Sequence, residues 1–417
     1  MRSPLLAEAI AMFAVAVGCA AAAVDGDVPW TKSVPTIEEI TSGKIKTGDQ
    51  ITAANLDAVR ALLPESWIRN IEDGAVLTIN PTTPTKNLLP PPQIQATLDN
   101  NGKASVGPDG TVTTKDGSAW VGGFPILQPQ TALEVMANRT YFIPDEVIDE
   151  YDNYWVNPAG ETYKTIVGQV SQFYIDGRVC LEPKPVVPGF PGELMRSLIH
   201  DLDPYDVRGL SVLSVLYVDQ SKYPDAWGYI PVLRRVQRFS SAQRYDSVDG
   251  SDLRSGDLGG FSDPLGLWDF TLIDRKPMLV NLTSTNPIPE KGKDIPLIKG
   301  KYPRDAKAEL RDTWIIDAKP KDPAHIYSRK KLYVDAGTYL SVGDFFDRQD
   351  NLWLGWHTHF IREDSHCGNH ARSTLFRLYN YQTNSGSFYN LYRWDFNKPN
   401  VLSIQDFTLK RITSRGR

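Results

Sequence analysis

Four of the six histidines lie close together in the sequence, at His357, His359, His366 and His370. His357 and His359 are two positions apart on a predicted strand, so both side chains should point to one face. A loop returning over that face could bring His366, Cys367 or His370 within metal distance, because imidazole and thiolate are good zinc ligands. The spacing matches no established zinc motif, and the alternative is a polar sheet rim. We therefore predict no metal site here.

Other catalytic patterns do not stand out from the sequence. It contains no Gly-x-Ser-x-Gly elbow, no glycine-rich phosphate loop and no Cys-x-x-Cys pair. Aspartate and glutamate occur throughout, and nothing selects two of them as an acid–base pair. We therefore predict a non-catalytic protein without a cofactor. A metal-dependent hydrolase that uses His357, His359, His366 and His370 is the alternative.

The charge pattern limits the classes of partner. The formal net charge of −5 and the isoelectric point near 5.8 give no electrostatic reason to expect a nucleic acid. Arg234, Arg235 and Arg238 form a local basic block upstream of several aspartates. This block is either a charged mouth for an anionic group or partner protein, or an ion-pair network on a sheet edge.

The elements that would position these residues are mainly strands. From residue 163 onward, segments of alternating or continuous apolar residues are separated by short turns such as Asn384-Ser385-Gly386. This pattern predicts a mainly β (α+β) fold, a large, strongly curved antiparallel sheet or half-barrel with a few helices over its open side. Aromatic residues on both faces of the last hairpin require cover on both faces, by the protein itself or by a ligand.

The N-terminal region is expected to contribute fewer elements. A helix is predicted to begin at Thr52, with Leu56, Val59, Leu62 and Leu63 on one face, and to end before Pro64. Residues 81–92 read PTTPTKNLLPPP, which indicates a stiff, solvated linker. Weaker helix signals lie at residues 192–200 and 303–311.

The first residues resemble a secretory leader. Residues 10–23 read IAMFAVAVGCAAAA, which predicts a signal peptide over residues 1–23 and a mature chain from Val24. Lipid attachment at Cys19 is the alternative. Cys180 and Cys367 are the remaining cysteines, and they form either one bridge or two free buried thiols. No later run reaches 18 uninterrupted apolar residues.

Several segments resemble the proteobacterial family called domain of unknown function 1329. They are Asp206-Val207-Arg208-Gly209-Leu210, the block WGYIPVLRRV from Trp227 to Val236, Arg244, Gly260-Phe261-Ser262, Gly48 to Thr52 with Leu63-Pro64, Gly122 to Pro125, Lys331 to Asp335, and Phe407 to Leu409. The resemblance covers nearly the whole mature chain but not the histidine cluster. It carries over no catalytic or ligand-binding residue.

The resemblance has implications for fold and function. Family members look like enlarged lipoprotein carriers of the Lol system, in which a half-closed antiparallel barrel holds an acyl chain. It implies a periplasmic carrier of a hydrophobic small molecule or lipid, with an inner-membrane transporter of the resistance–nodulation–division superfamily as partner. We expect one carrier-like domain over residues 24–417, with a Pro-rich wrapping section over residues 24–140. A structural envelope protein is a further alternative.

Overall fold

The structure is a computed structural model that describes residues 27–142, 145–248, 250–281, 286, 288–293 and 295–415. The predicted signal peptide and Cys19 lie outside these residues. No helix among them is long and apolar enough to cross a membrane.

In the described residues the chain forms many strands and few helices. The strands are β1 (Gln50–Ile51), β2 (Leu77–Ile79), β3 (Ala104–Val106), β4 (Val112–Thr114), β5 (Glu146–Val156), β6 (Thr162–Tyr174), β7 (Glu193–Asp203), β8 (Ser211–Tyr217), β9 (Asp225–Ile230), β10 (Arg235–Phe239), β11 (Trp268–Val280), β12 (Leu297–Ile298), β13 (Tyr302–Pro303), β14 (Lys307–Pro320), β15 (Arg329–Asp335), β16 (Ser341–Phe346), β17 (Leu352–Ser365), β18 (Gly368–Asn380) and β19 (Ser385–Phe396). The α-helices are α1 (Ile37–Ile40), α2 (Glu65–Glu72), α3 (Pro91–Asp99), α4 (Ala132–Thr140) and α5 (Leu409–Arg415). Short 3₁₀ helices span Leu56–Ala58, Arg60–Leu62, Thr85–Asn87, Pro231–Leu233, Ser241–Tyr245, Ser255–Gly260, Leu265–Leu267 and Ile404–Asp406.

Fifteen strands form one sheet, and this confirms the predicted mainly β fold. Fourteen strands follow the order β1-β2-β14-β15-β16-β17-β18-β19-β5-β6-β7-β8-β9-β10, and β11 pairs with β14 as a branch. All neighbours in this sheet are antiparallel except β2 and β14. The long run of sequential hairpins from β14 to β19 follows from the short turns seen in the sequence. Strands β1 and β10 are the two ends of the path, so the sheet is not closed.

The central strands carry apolar side chains on both faces. We call the face with Thr358, Phe376 and Tyr389 the inner face, because these residues pair directly across β17, β18 and β19. The outer face carries His357 and Arg377, which pair in the same way one position along. Two separate hydrophobic clusters occupy the two faces, so both are covered by other parts of the chain.

Different N-terminal segments cover the two faces. Helix α4 and the segment around Trp120 and Phe124 pack into the inner cluster. Helix α2, through Trp67 and Ile71, packs with strands β1 and β2 into the outer cluster. The N-terminal section therefore supplies the packing that a sheet with two apolar faces requires.

Several expected helices are wrong. The segment after Thr52 forms only two 3₁₀ turns, and Pro64, expected to follow the helix, instead precedes α2 as its N-cap. Proline is compatible with a helix start because the first turn leaves its backbone N–H groups unpaired. The same rule explains why α3 begins at Pro91 inside the predicted linker. Residues 192–200 and 303–311 fall largely in β7 and β14, where tertiary pairing overrides local helix propensity.

Candidate functional site

His357 and His359 lie together on the outer face, as their spacing predicts. Both are buried beneath α2, and the Trp67 ring centroid lies 5.0 Å from that of His357 and 6.4 Å from that of His359. His357 is only 1% exposed, and neither of its ring nitrogens has a hydrogen-bond partner. Burial lowers the pKa of His357 to about 3, so its imidazole is neutral at physiological pH.

His370 and His366 do not join this pair. The His370 ring stacks on Phe396, with ring centroids 3.6 Å apart, and lines a cavity on the inner face. His366 is exposed in the turn between β17 and β18. The four histidines therefore do not meet at one point. In the described residues, no group of three or more His, Cys, Asp or Glu side chains is placed to hold a metal ion.

Cys180 and Cys367 form a disulfide, with Cα atoms 6.1 Å apart. The bridge joins the loop after β6 to the turn between β17 and β18. The Asp145 carboxylate fixes the Cys180 loop by accepting hydrogen bonds from the backbone amides of Val179, Cys180 and Leu181, at 2.6–3.0 Å. Of the two alternatives left open by the sequence, the structure has the bridge.

The main concave feature is a cavity of about 200 Å³ on the inner face. Its strand-borne lining comes mostly from β17 and β18, including Trp356, Phe360, Ser373 and Phe376. Because alternate residues of a strand share a face, these side chains reach the cavity while His357 and His359 point away from it. The aromatic strands that suggested a hydrophobic cavity in the sequence thus contribute to one.

An aromatic row forms the floor of this cavity and continues beyond it. The ring centroids of Trp356 and Phe376 are 4.7 Å apart, those of Phe376 and Tyr389 are 4.1 Å apart, and those of Tyr389 and Tyr151 are 5.5 Å apart. The Trp356 indole Nε1 donates a 2.8 Å hydrogen bond to the Thr358 hydroxyl. The row crosses four neighbouring strands, and its packing fixes the side of the sheet that faces the cavity.

One wall of the cavity comes from the segment predicted to be a solvated linker. Leu88 and Leu89 are buried and line the cavity with Pro90. The Ala371 backbone amide donates to the Leu88 carbonyl at 2.8 Å, which joins this wall to β18. The linker prediction is therefore wrong for these residues, because their apolar side chains cover part of the inner face.

The opposite wall is the 3₁₀ segment Ser255–Gly260, which places Leu258 and Gly259 at the cavity. Arg139 of α4 holds this segment through hydrogen bonds to the Gly259 carbonyl and, at 2.6 Å, to the Phe261 carbonyl. Arg139 also donates to the Ser341 hydroxyl at 3.0 Å. Gly259 has a φ of +64°, a conformation that side chains disfavour, so this tight approach suits glycine.

A buried ion pair anchors the same segment to the sheet. The Lys330 ammonium on β15 is fully buried, 2.8 Å from the Asp257 carboxylate. Asp257 also accepts a 2.7 Å hydrogen bond from the Tyr327 hydroxyl. The Phe345 ring centroid lies 4.6 Å from the Lys330 nitrogen, and three further aromatic rings surround it. The wall of the cavity is thus fixed at two points by charged groups.

The polar groups of the lining are few. Ser373 Oγ is buried and has no hydrogen-bond partner. Burial lowers the pKa of His370 to about 3, so its imidazole is uncharged at neutral pH. Thr358, Gln172 and Asn397 are the main other polar side chains at the cavity. The residues found to line it include no Asp, Glu, Lys or Arg.

The arginine block lies elsewhere. Arg235 and Arg238 belong to β10, which ends the sheet, and both are exposed. Arg238 forms an ion pair with Asp225 on the neighbouring strand, and none of the three arginines lines the cavity. This arrangement matches the alternative of ion pairing at a sheet edge.

Comparison with known proteins gives a family and several solved relatives. The family model described as "Protein of unknown function (DUF1329)" matches residues 50–408. An outer membrane lipoprotein-sorting protein domain from Vibrio parahaemolyticus is 18% identical, with 68% of this chain and 98% of that chain covered and a TM-score of 0.48. A DUF1329 family protein from Desulfovibrio piger is 18% identical, with 67% and 96% covered and a TM-score of 0.47.

A LolA superfamily protein from Nitrosomonas europaea is 14% identical, with 68% of this chain and 99% of that chain covered and a TM-score of 0.41. None of the curated proteins matches this chain. The family match extends over most of the sequence, including the WGYIPVLRRV block, and it confirms the resemblance. The chain therefore belongs to the DUF1329 family.

Proposed function

We propose that this protein is a non-catalytic carrier that binds a small hydrophobic molecule, or an apolar segment of a lipid, in the inner-face cavity. The observation that carries the proposal is the cavity itself, which has aromatic and aliphatic walls and a few separate polar groups. Such a composition is typical of small-molecule sites.

The size of the cavity limits the occupant. Its volume of about 200 Å³ exceeds the roughly 150 Å³ of an engineered apolar cavity that binds benzene. It is smaller than the roughly 300–1,000 Å³ of typical drug-sized sites. One ring, or a short segment of an acyl chain, therefore fits the enclosed part.

The expected affinity is modest. A ligand that buries on the order of 200 Å² of apolar surface gains about 5 kcal/mol before the costs of association are subtracted. Millimolar to micromolar dissociation constants follow, which suits a carrier that must release its cargo.

The proposed location is the periplasm. The predicted leader and the Cys180–Cys367 bridge both support it, because disulfides persist in oxidising compartments. We further propose that residues 24–417 act as one carrier unit. The receiving partner is proposed to be an inner-membrane transporter of the resistance–nodulation–division superfamily, on the basis of the family resemblance.

Calorimetric titration of the mature protein with toluene and with octan-1-ol tests the proposal. Wild-type protein should bind both saturably at one site. Ala371→Phe places a ring in the cavity and should abolish binding without lowering the melting temperature by more than a few degrees. Ala226→Phe on β9 makes the same change away from the lining and should leave binding intact. Well-folded wild-type protein that binds neither compound would overturn the carrier proposal.

A further inference from the structure

The lining of the cavity is chemically selective as well as apolar. We infer that the cavity accepts uncharged ligands that carry one hydrogen-bonding group near Ser373, and rejects ionised amphiphiles of the same size. This inference rests on the proposed function, since it defines the ligand class of the same cavity. It stands on two observations, the absence of charged residues from the described lining and the unpartnered hydroxyl of Ser373.

The charged groups behind the walls are directed elsewhere. Arg139 donates to the Gly259 and Phe261 carbonyls and to Ser341, and none of its described hydrogen bonds reaches a carboxylate. Arg372 on β18 pairs with Glu363 at 3.2 Å and also donates to a backbone carbonyl. These cations stabilise the walls and do not line the cavity.

The remaining nearby ionisable groups are paired or neutral. Glu146 lies 2.8 Å from Arg178, which is fully buried. Burial raises the pKa of Asp149 well above its ordinary value, although the Arg372 charge opposes the rise, and its carboxyl is held neutral. A charged ligand in the cavity would therefore find no free counter-charge on these residues.

An ionised ligand loses its hydration without compensation in such a site. Burying a carboxylate or ammonium away from a partner is strongly unfavourable, so the neutral form binds instead. A carboxylic acid with a pKa near 4.3 is protonated in only about one molecule in a thousand at pH 7.5. We therefore expect a carboxylate to bind at least about 100-fold more weakly than the alcohol of the same size.

Ser373 supplies the matching polar contact. A serine hydroxyl can donate one hydrogen bond and accept two, and Ser373 Oγ makes none within the protein. An alcohol, ester or amide oxygen placed beside it would satisfy this hydroxyl without introducing charge. A neutral hydrogen bond of this kind changes affinity by about 3- to 10-fold.

Four single-ring ligands separate these effects in calorimetric titrations at pH 7.5: toluene, benzyl alcohol, benzoate and benzylammonium. Toluene and benzyl alcohol should bind, whereas benzoate and benzylammonium should bind at least about 100-fold more weakly than benzyl alcohol. Benzoate affinity equal to that of benzyl alcohol would overturn the inference while the carrier proposal stood. Failure of all four to bind would instead remove the proposed function.

A serine variant tests the assigned contact. Ser373→Ala should weaken benzyl alcohol binding by about 3- to 10-fold and leave toluene binding unchanged. Ser197→Ala, on β7 and outside the lining, is the matched control and should change neither. Unchanged benzyl alcohol affinity in Ser373→Ala would show that the polar contact is not at this residue.

Discussion

Replacing His357 with leucine should make the protein less sensitive to acid. The ring is buried between Trp67 and Tyr379, with centroids 5.0 Å and 5.2 Å away, and both of its nitrogens lack hydrogen-bond partners. An unsatisfied buried polar group costs about 1–3 kcal/mol, and the aromatic contacts recover about 0.5–1.5 kcal/mol. Leucine is of similar bulk, so the two stabilities at pH 7 should agree within about 1.5 kcal/mol.

The difference should grow as the pH falls. Burial lowers the pKa of His357 to about 3 in the folded protein, against about 6.5 in an unfolded chain. The unfolded state therefore takes up a proton that the folded state does not, and stability is lost as the pH drops below about 6.5. This loss is about 0.2 kcal/mol at pH 7 and about 2 kcal/mol at pH 5. The variant lacks this term.

Urea unfolding at pH 7 and pH 5 measures the two differences. His357→Leu should gain about 2 kcal/mol on the wild type between the two pH values. His366→Leu makes the same change in an exposed turn and should stay within about 0.5 kcal/mol of the wild type at both. An equal gap at both pH values would refute the reasoning. A large loss at pH 7 together with loss of a bound metal would support a ligand role for His357.

Three further predictions concern the walls and the bridge. Lys330→Met should cost about 3–5 kcal/mol in urea unfolding, because it leaves Asp257 buried without its cation, and adding Asp257→Asn should recover part of this; an additive double variant would contradict the pairing. Replacing both Cys180 and Cys367 with serine should cost about 2–5 kcal/mol, and dithiothreitol should lower only the wild-type value. Trp356→Ala should cost about 3–5 kcal/mol in thermal melts and weaken toluene binding; a smaller loss would mean that the aromatic row repacks.

The sheet could be predicted because strand alternation and short turns are local signals. His357 and His359 were placed on one face correctly by spacing alone. Their separation from His370 could not be predicted, since a bulge between His359 and Phe360 shifts the register of β17 against β18. After such a shift, counting residues no longer gives the face on which a side chain lies.

The cavity itself depends on contacts that no local pattern encodes. Leu88 and Leu89 stand between prolines, and their burial follows only from the docking of that segment on β18. Gly259 depends on Arg139, which lies 120 positions earlier. Such pairings are fixed by the whole fold, so the sequence could indicate an apolar inner face but not its open volume.

The parallel pairing of β2 with β14 has a consequence for the order of assembly. Thr78 pairs with Lys307, and the Thr82 hydroxyl donates to the Leu310 carbonyl, 228 positions away. When the chain emerges from its N-terminus, Leu77 and Ile79 therefore have no sheet partner on this side until most of the chain has followed. Contacts this distant slow folding and leave apolar segments exposed to aggregation meanwhile. The N-terminal section should therefore depend on a holding chaperone during translocation, whereas the hairpins from β15 to β19 can pair as they appear.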